Sequence, residues 1–124
     1  MSRYTHGKYK NALRIWQQNL GKSKAATLAL LNGDDNPVHE NWDIICLQEP
    51  WISTKGKTKA SQHWIVVYPD KDNTIAKTRS IILVNAKLDT NSWTPFKVPD
   101  SADVTAIQVT DEQDHKITIF NIYN

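Results

Sequence analysis

The chain has 124 residues and carries 15 Lys and Arg against 13 Asp and Glu, a formal charge of +2. That length suits one domain, and 40% hydrophobic residues with five Trp exclude wholesale disorder. No apolar run approaches the roughly 20 residues of a membrane helix. Residues 1–10 lack a signal-peptide pattern, and the lone Cys46 excludes an internal disulfide, so an intracellular protein, nuclear or cytoplasmic and not secreted, is expected.

Residues 1–12 read as a basic arm. Before Asp34 the chain holds Arg3, Lys8, Lys10, Arg14, Lys22 and Lys24 and no acid. Leu13 to Gln18 then reads as a strand, led by the β-prone Ile15 and Trp16 and broken at Asn19-Leu20-Gly21. Ser23 stands where an N-cap belongs, and the Ala- and Leu-rich run to Leu31 predicts a helix that stops at Asn32-Gly33. Asp34 to Asn41 is a loop. Ile44-Ile45-Cys46-Leu47 is a continuous apolar run, the pattern of a strand covered on both faces. Strand, helix and strand make a βαβ-like opening, whose right-handed crossover makes the two strands parallel.

After Pro50 the chain is more polar. Trp51 to Gln62 reads as a loop, Trp64 to Tyr68 as a strand, Asp70 to Thr78 as a loop and Ser80 to Val84 as a strand. Asp89 to Pro99, with Pro95 and Pro99, reads as irregular but packed down by Trp93 and Phe96. Val104 to Val109 and Lys116 to Tyr123 are two further strands, joined by an acidic turn. The last strand runs to the final residue, a layout expected of the front half of a larger domain whose edge is left unpaired. Charge is blocked rather than mixed. Lys55, Lys57 and Lys59 are basic and spaced two apart, whereas Asp100, Asp103, Asp111, Glu112 and Asp114 have no basic partner among them. Such blocks are either solvated faces or, for the basic ones, a surface that meets a polyanion by releasing its condensed counterions.

Two residues at strand ends could carry chemistry. Glu49 follows the buried strand and precedes Pro50, a placement suited to holding a hard cation such as Mg²⁺ beside a phosphate; the plainer alternative is a solvated carboxylate. Asn19 ends the first strand, where a turn signal is the plainer alternative. With the two strands parallel, both residues emerge at one sheet edge, and ligands bind beyond the carboxyl ends of parallel strands.

The runs Leu13-Arg14-Ile15-Trp16-Gln17-Gln18-Asn19, Trp42 to Pro50 with its Leu-Gln-Glu-Pro end, and Phe120-Asn121-Ile122-Tyr123-Asn124 resemble the endonuclease/exonuclease/phosphatase superfamily. Within it the chain looks most like the apurinic-type endonuclease domain of LINE-type (non-LTR) retrotransposons, particularly fungal ones, and Arg79-Ser80-Ile81-Ile82-Leu83-Val84-Asn85 is similar to a strand of those elements. The resemblance implies an α/β fold, residues 13–124 being the N-terminal half of a four-layer α/β sandwich, and a Mg²⁺-dependent phosphodiesterase acting on DNA. Carried over by position, Glu49 is a metal ligand, Asn19 orients phosphate, water or metal, and Tyr123 contacts the scissile phosphate. Lys55, Lys57, Lys59 and Arg79 are candidate DNA contacts.

The chain departs from the family in two respects. Some relatives place an aspartate where Gly21 stands, and the family's Asp-x-Asn and Ser-Asp-His blocks lie beyond the third motif. None of His6, His39, His63 or His115 sits in a matching motif. Without those groups nothing is left to activate water, so the resemblance implies a fragment that is inactive alone, weak in Mg²⁺, and prone to self-association where its missing half would dock. A non-catalytic nucleic-acid-binding remnant and another phosphatase-like member of the superfamily remain the alternatives.

Overall fold

The computed structural model describes residues 13–33, 38–53, 57–58, 61–70, 77–111 and 113–124. The basic arm at 1–12, Lys55, Lys59 and Glu112 lie outside the described residues. In order, the elements are β1 (Ile15–Asn19), α1 (Lys24–Asn32), a 3₁₀ turn (Val38–Glu40), β2 (Ile44–Gln48), β3 (Trp64–Val67), β4 (Ser80–Asn85), a second 3₁₀ turn (Thr90–Ser92), β5 (Trp93–Phe96), β6 (Val104–Thr110) and β7 (Lys116–Ile122).

Local chemistry accounts for the helix and both its ends. Ser23 caps α1 by accepting the Ala26 N–H on its hydroxyl at 3.1 Å. At the other end the Gly33 N–H donates to the Ala29 carbonyl at 2.9 Å. A Cβ on Gly33 would stand 2.5 Å from that oxygen, so a larger residue must displace the helix end. The single-turn connection from β1 to α1 is closed by Ser23 N–H to Leu20 O at 3.0 Å, with Gly21 and Lys22 both left-handed at φ 57° and 64°. Glycine adopts that conformation freely, whereas lysine does so at a cost.

The strands form two sheets. The first has the order β1-β2-β4-β3, with β1 parallel to β2 and the remaining pairs antiparallel. The second is an antiparallel sheet in the order β5-β6-β7. On one face of the first sheet, Ile45, Leu47, Ile81 and Leu83 bury against Leu31 of α1, Leu20 and Val38. On its other face, Ile44, Cys46, Ile82 and Val84 bury against Ile107 and Val109 of β6, with Trp93 and Ile119 at the margin. Strand β2 is therefore covered on both sides, as its unbroken apolar run requires. The described residues make three layers, helix on sheet on sheet, in a sheet-rich fold with one α-helix. A fourth layer is not among them.

One segment differs from the sequence reading. Asp89 to Pro99 is not irregular: Asp89 caps the second 3₁₀ turn by accepting the Asn91 N–H at 2.9 Å, and Trp93–Phe96 pairs with β6 as a strand. Pro95 cannot donate to a ladder, but β5 is an edge strand, where a missing donor on the outer side goes unpunished. The start of β2 is held by a buried charge. Asp43 is fully buried, and its carboxylate accepts the Arg14 backbone N–H at 2.8 Å and the Arg14 guanidinium at 3.1 Å. Among the described residues no helix is long and apolar enough to cross a membrane.

Candidate active site at the shared rim of the two sheets

Register decides which residues meet. Asn19 pairs with Gln48, so Asn19 and Glu49 close neighbouring parallel strands at one rim. Strand β4 begins at that rim, because Gln48 lies opposite Ser80. The second sheet reaches the same place, since Val104 lies opposite Ile122 and puts Asp103 beside Tyr123.

A row of backbone hydrogen bonds stitches these ends together. Lys22 N–H donates to Glu49 O at 2.8 Å, Glu49 N–H to Arg79 O at 2.9 Å, Arg79 N–H to Ala102 O at 3.1 Å, and Tyr123 N–H to Asp103 O at 2.8 Å. Residues from five separate stretches of sequence, at 22, 49, 79, 102–103 and 123, are thereby held side by side. Glu49 has φ 49°, in the left-handed region. A non-glycine residue held there costs free energy, and such positions cluster at functional sites.

The side chains divide into charged and polar groups. The Arg79 guanidinium lies 5.4 Å from the Tyr123 ring centroid, and its Nε is 3.9 Å from the Asp103 carboxylate. Asn19 turns its side-chain oxygen back to accept the Gly21 N–H at 2.9 Å. Lys22, and after it Arg79, push the exposed Lys77 ammonium below its ordinary value, and Glu49 opposes them. Lys24 lies over the Trp51 ring at 4.8 Å, just beyond Glu49. The loop that carries Trp51 is pinned by Thr27, whose buried hydroxyl accepts the Trp51 N–H at 3.0 Å.

Beneath the rim lies a buried polar clamp centred on Asn121. Its amide donates to the carbonyls of Leu47 and Ile81, each at 2.8 Å, and its oxygen accepts from the Gln48 amide at 2.5 Å. The Ser80 hydroxyl donates to Asn121 O, and the Thr105 hydroxyl to Ser80 O, both at 2.7 Å. This clamp ties β7 to the two central strands next to Glu49 and Tyr123.

The basic loop sits farther off. Lys57 lies over the Tyr68 ring at 4.2 Å. It borders a groove of about 400 Å³ that also takes in Asp70, Trp93 and Lys97. Tyr68 follows β3, two strands across from β2, or roughly 10 Å at ordinary strand spacing. The structure thus brings Asn19, Glu49, Arg79 and Tyr123 together and places Lys57 outside that group.

Three rim residues, Lys22, Lys77 and Asp103, were not singled out by the sequence reading. Their signal exists only as adjacency to strand ends, and adjacency requires the register. The histidines lie elsewhere. His39 and His63 stack at 3.7 Å beside the start of β3, at the far end of the first sheet, and His115 pairs with Asp111 in the β6–β7 turn at 3.0 Å.

Among the described residues no three His, Cys, Asp or Glu side chains gather into a metal site. Of the two residues expected to hold Mg²⁺, Glu49 supplies a carboxylate, a hard donor suited to that ion, while the Asn19 side-chain oxygen already accepts the Gly21 N–H. Searches of protein-family models, curated proteins and solved structures return no match to this chain.

Proposed function

We propose that the chain is a phosphodiester-binding domain of the endonuclease/exonuclease/phosphatase type, related to the DNA endonucleases of LINE-type retrotransposons, and that a DNA phosphate sits on the rim. The observation that carries this reading is the convergence of Asn19, Glu49, Arg79 and Tyr123, four residues widely separated in sequence, on one rim where two sheets end together.

Each group has a role in the chemistry. Glu49, with Asn19 beside it, would hold Mg²⁺, which when bound supplies positive charge at a phosphoryl oxygen. Arg79 presents a planar guanidinium fork to phosphate, and its stacking on Tyr123 and pairing with Asp103 restrict the directions it can take. The Tyr123 hydroxyl can donate a hydrogen bond to a phosphate oxygen. Hydrolysis also needs a group that takes a proton from water, and the described histidines lie away from this rim. Binding without turnover is the expected behaviour of this chain.

The test measures duplex DNA binding by fluorescence anisotropy, with and without Mg²⁺, for the native chain and its Glu49→Gln variant. Plasmid nicking is measured in parallel. Mg²⁺ should strengthen binding by the native chain and leave the variant unchanged, with nicking at background for both. Binding that is indifferent to both Mg²⁺ and Glu49 would remove the reading. Glu49-dependent nicking would overturn the claim of binding without turnover.

A further inference from the structure

We propose that the free edge of β3 is a docking site for an extended peptide that alternates acidic and apolar residues and adds to the first sheet as a fifth strand. The site lies apart from the rim and does not depend on the phosphodiester-binding reading.

The ladder shows that this edge is open. Ala86 N–H donates to His63 O at 2.9 Å, so that pair is hydrogen-bonded. Bonded pairs alternate along an antiparallel ladder, which makes Ile65–Val84 and Val67–Ile82 the next two. Trp64, Val66 and Tyr68 therefore turn their backbone N–H and C=O groups away from β4, and no strand lies beyond β3 in the sheet. Strand edges are commonly protected by proline, and the edge that borders β3 from the second sheet is protected in this way. There the bonded Asp111–His115 pair commits the odd-numbered residues of β6 to β7, which leaves Trp93 and Pro95 of β5 facing outward. Pro95 has no N–H to give, whereas no residue interrupts β3.

A groove is already in place along the open edge. It holds about 400 Å³, within the usual range of ligand sites, and runs between β3 on one side and Trp93, Pro95 and Lys97 on the other. Its walls choose the occupant. Ile65, on the same face of β3 as Val67, is 39% exposed and shares the groove with Trp93 and Pro95. On the opposite face Lys57 lies over the Tyr68 ring at 4.2 Å, and that ring is pinned because its hydroxyl accepts the Thr58 N–H at 3.0 Å. Asp70 is the one acid among the lining residues, and its carboxylate accepts the Asp100 N–H at 3.0 Å. With Lys57 and Lys97 against it, the groove is positive in excess.

Side chains of an added strand alternate between its two faces. One set would lie beside Lys57, where acids fit, and the other would cover Ile65 and Trp93, where apolar groups fit. Main-chain bonds to Val66 and its neighbours would supply affinity, and the alternating walls would supply selectivity. A second copy of this chain would bring the same positive excess to the edge, so charge favours an acidic partner over self-pairing.

The test follows backbone amides of the isotope-labelled native chain by NMR, with a short capped peptide of alternating valine and glutamate as the probe. At a peptide concentration about ten times its Kd, exchange of the Val66 amide with solvent should slow about tenfold, while the already paired Ile65 and Val67 amides should change little. The double variant Lys57→Glu/Lys97→Glu, altered only at exposed side chains, should bind this peptide at least about tenfold more weakly and should instead take up a valine–lysine peptide. A valine–glutamate peptide N-methylated at the backbone nitrogens that would face β3 keeps its charge but cannot donate, and it should bind at background.

Absence of Val66 protection at millimolar peptide would overturn the proposal. Undiminished binding of the N-methylated peptide would overturn strand addition, and undiminished binding by the double variant would overturn the acidic preference. Val66 protection that rises with protein concentration in the absence of peptide would give the edge to a second copy, and protection by duplex DNA in place of the peptide would give it to nucleic acid; either result would also overturn the proposal.

Discussion

Replacing Asn121 by Ala tests whether the polar clamp, rather than hydrophobic contact alone, joins the two sheets beneath the rim. Asn121 is 2% exposed and makes three side-chain hydrogen bonds, to Leu47 O, Ile81 O and the Gln48 amide. Whether its loss strands buried carbonyls depends on the ladder. Glu49 N–H donates to Arg79 O, so that pair is hydrogen-bonded. In an antiparallel ladder such pairs alternate with open ones, which makes Leu47–Ile81 the next bonded pair. Both carbonyls therefore keep a ladder donor, and Asn121 uses their second lone pairs. The expected cost is that of three bonds at about 0.5–1.5 kcal/mol each, or about 2–4 kcal/mol, with no full desolvation penalty.

Asn121→Asp should cost more than Asn121→Ala. It removes both donated bonds and sets a buried carboxylate against two carbonyl oxygens. Urea unfolding followed by tryptophan fluorescence gives both values, and an unchanged m-value shows that the same transition is being measured. A cost below about 0.5 kcal/mol for Asn121→Ala, a tenth or less of a typical domain's stability, would refute the clamp as a structural tie.

Three further outcomes are expected. Asp43→Ala should destabilise the fold by about 2–4 kcal/mol in the same urea assay, because it removes the acceptor for three Arg14 donors, the backbone N–H and two guanidinium nitrogens; the value stays moderate because the Arg14 side chain is 32% exposed and can partly rehydrate. Burial pushes the Cys46 thiol up to about 11, so it should resist a thiol reagent at pH 8 in the native chain and react at once in urea; rapid native labelling would refute its burial. Burial raises the Asp111 carboxyl, but the N–H groups of His115 and Gln113 outweigh it and leave it below its ordinary 3.8. A depressed carboxyl contributes stability above its unfolded value that is lost as pH falls through the folded one. Amide protection of Gln113 and His115 should therefore hold at neutral pH and fade only below the ordinary carboxyl value of 3.8, and fading already near pH 5 would contradict the assignment.

Much of the local structure was legible in the sequence because it depends on near neighbours. Ser23 and Gly33 bracket the helix through bonds to residues three or four away. The apolar run at Ile44–Leu47 could be read as doubly covered because every side chain in it is apolar, whichever face it meets. Asn19 and Glu49 could be placed at one rim because a βαβ crossover makes strands parallel irrespective of what packs on them.

The remainder required pairing between distant segments. Strand β5 was hidden because a proline counts against a strand unless that strand lies at an edge, and edge position is a property of the sheet. Asn121 reads as a polar residue in a strand, and only the packing of β7 over β2 and β4 turns it into a buried clamp. Lys22, Lys77 and Arg79 come from two loops whose composition resembles ordinary solvated turns. Composition can say that a chain is basic there, but convergence of like charges is a matter of distance. Distance between residues 57 positions apart in the chain, such as Lys22 and Arg79, which both bond to the Glu49 backbone, is decided by strand register, which no local preference specifies.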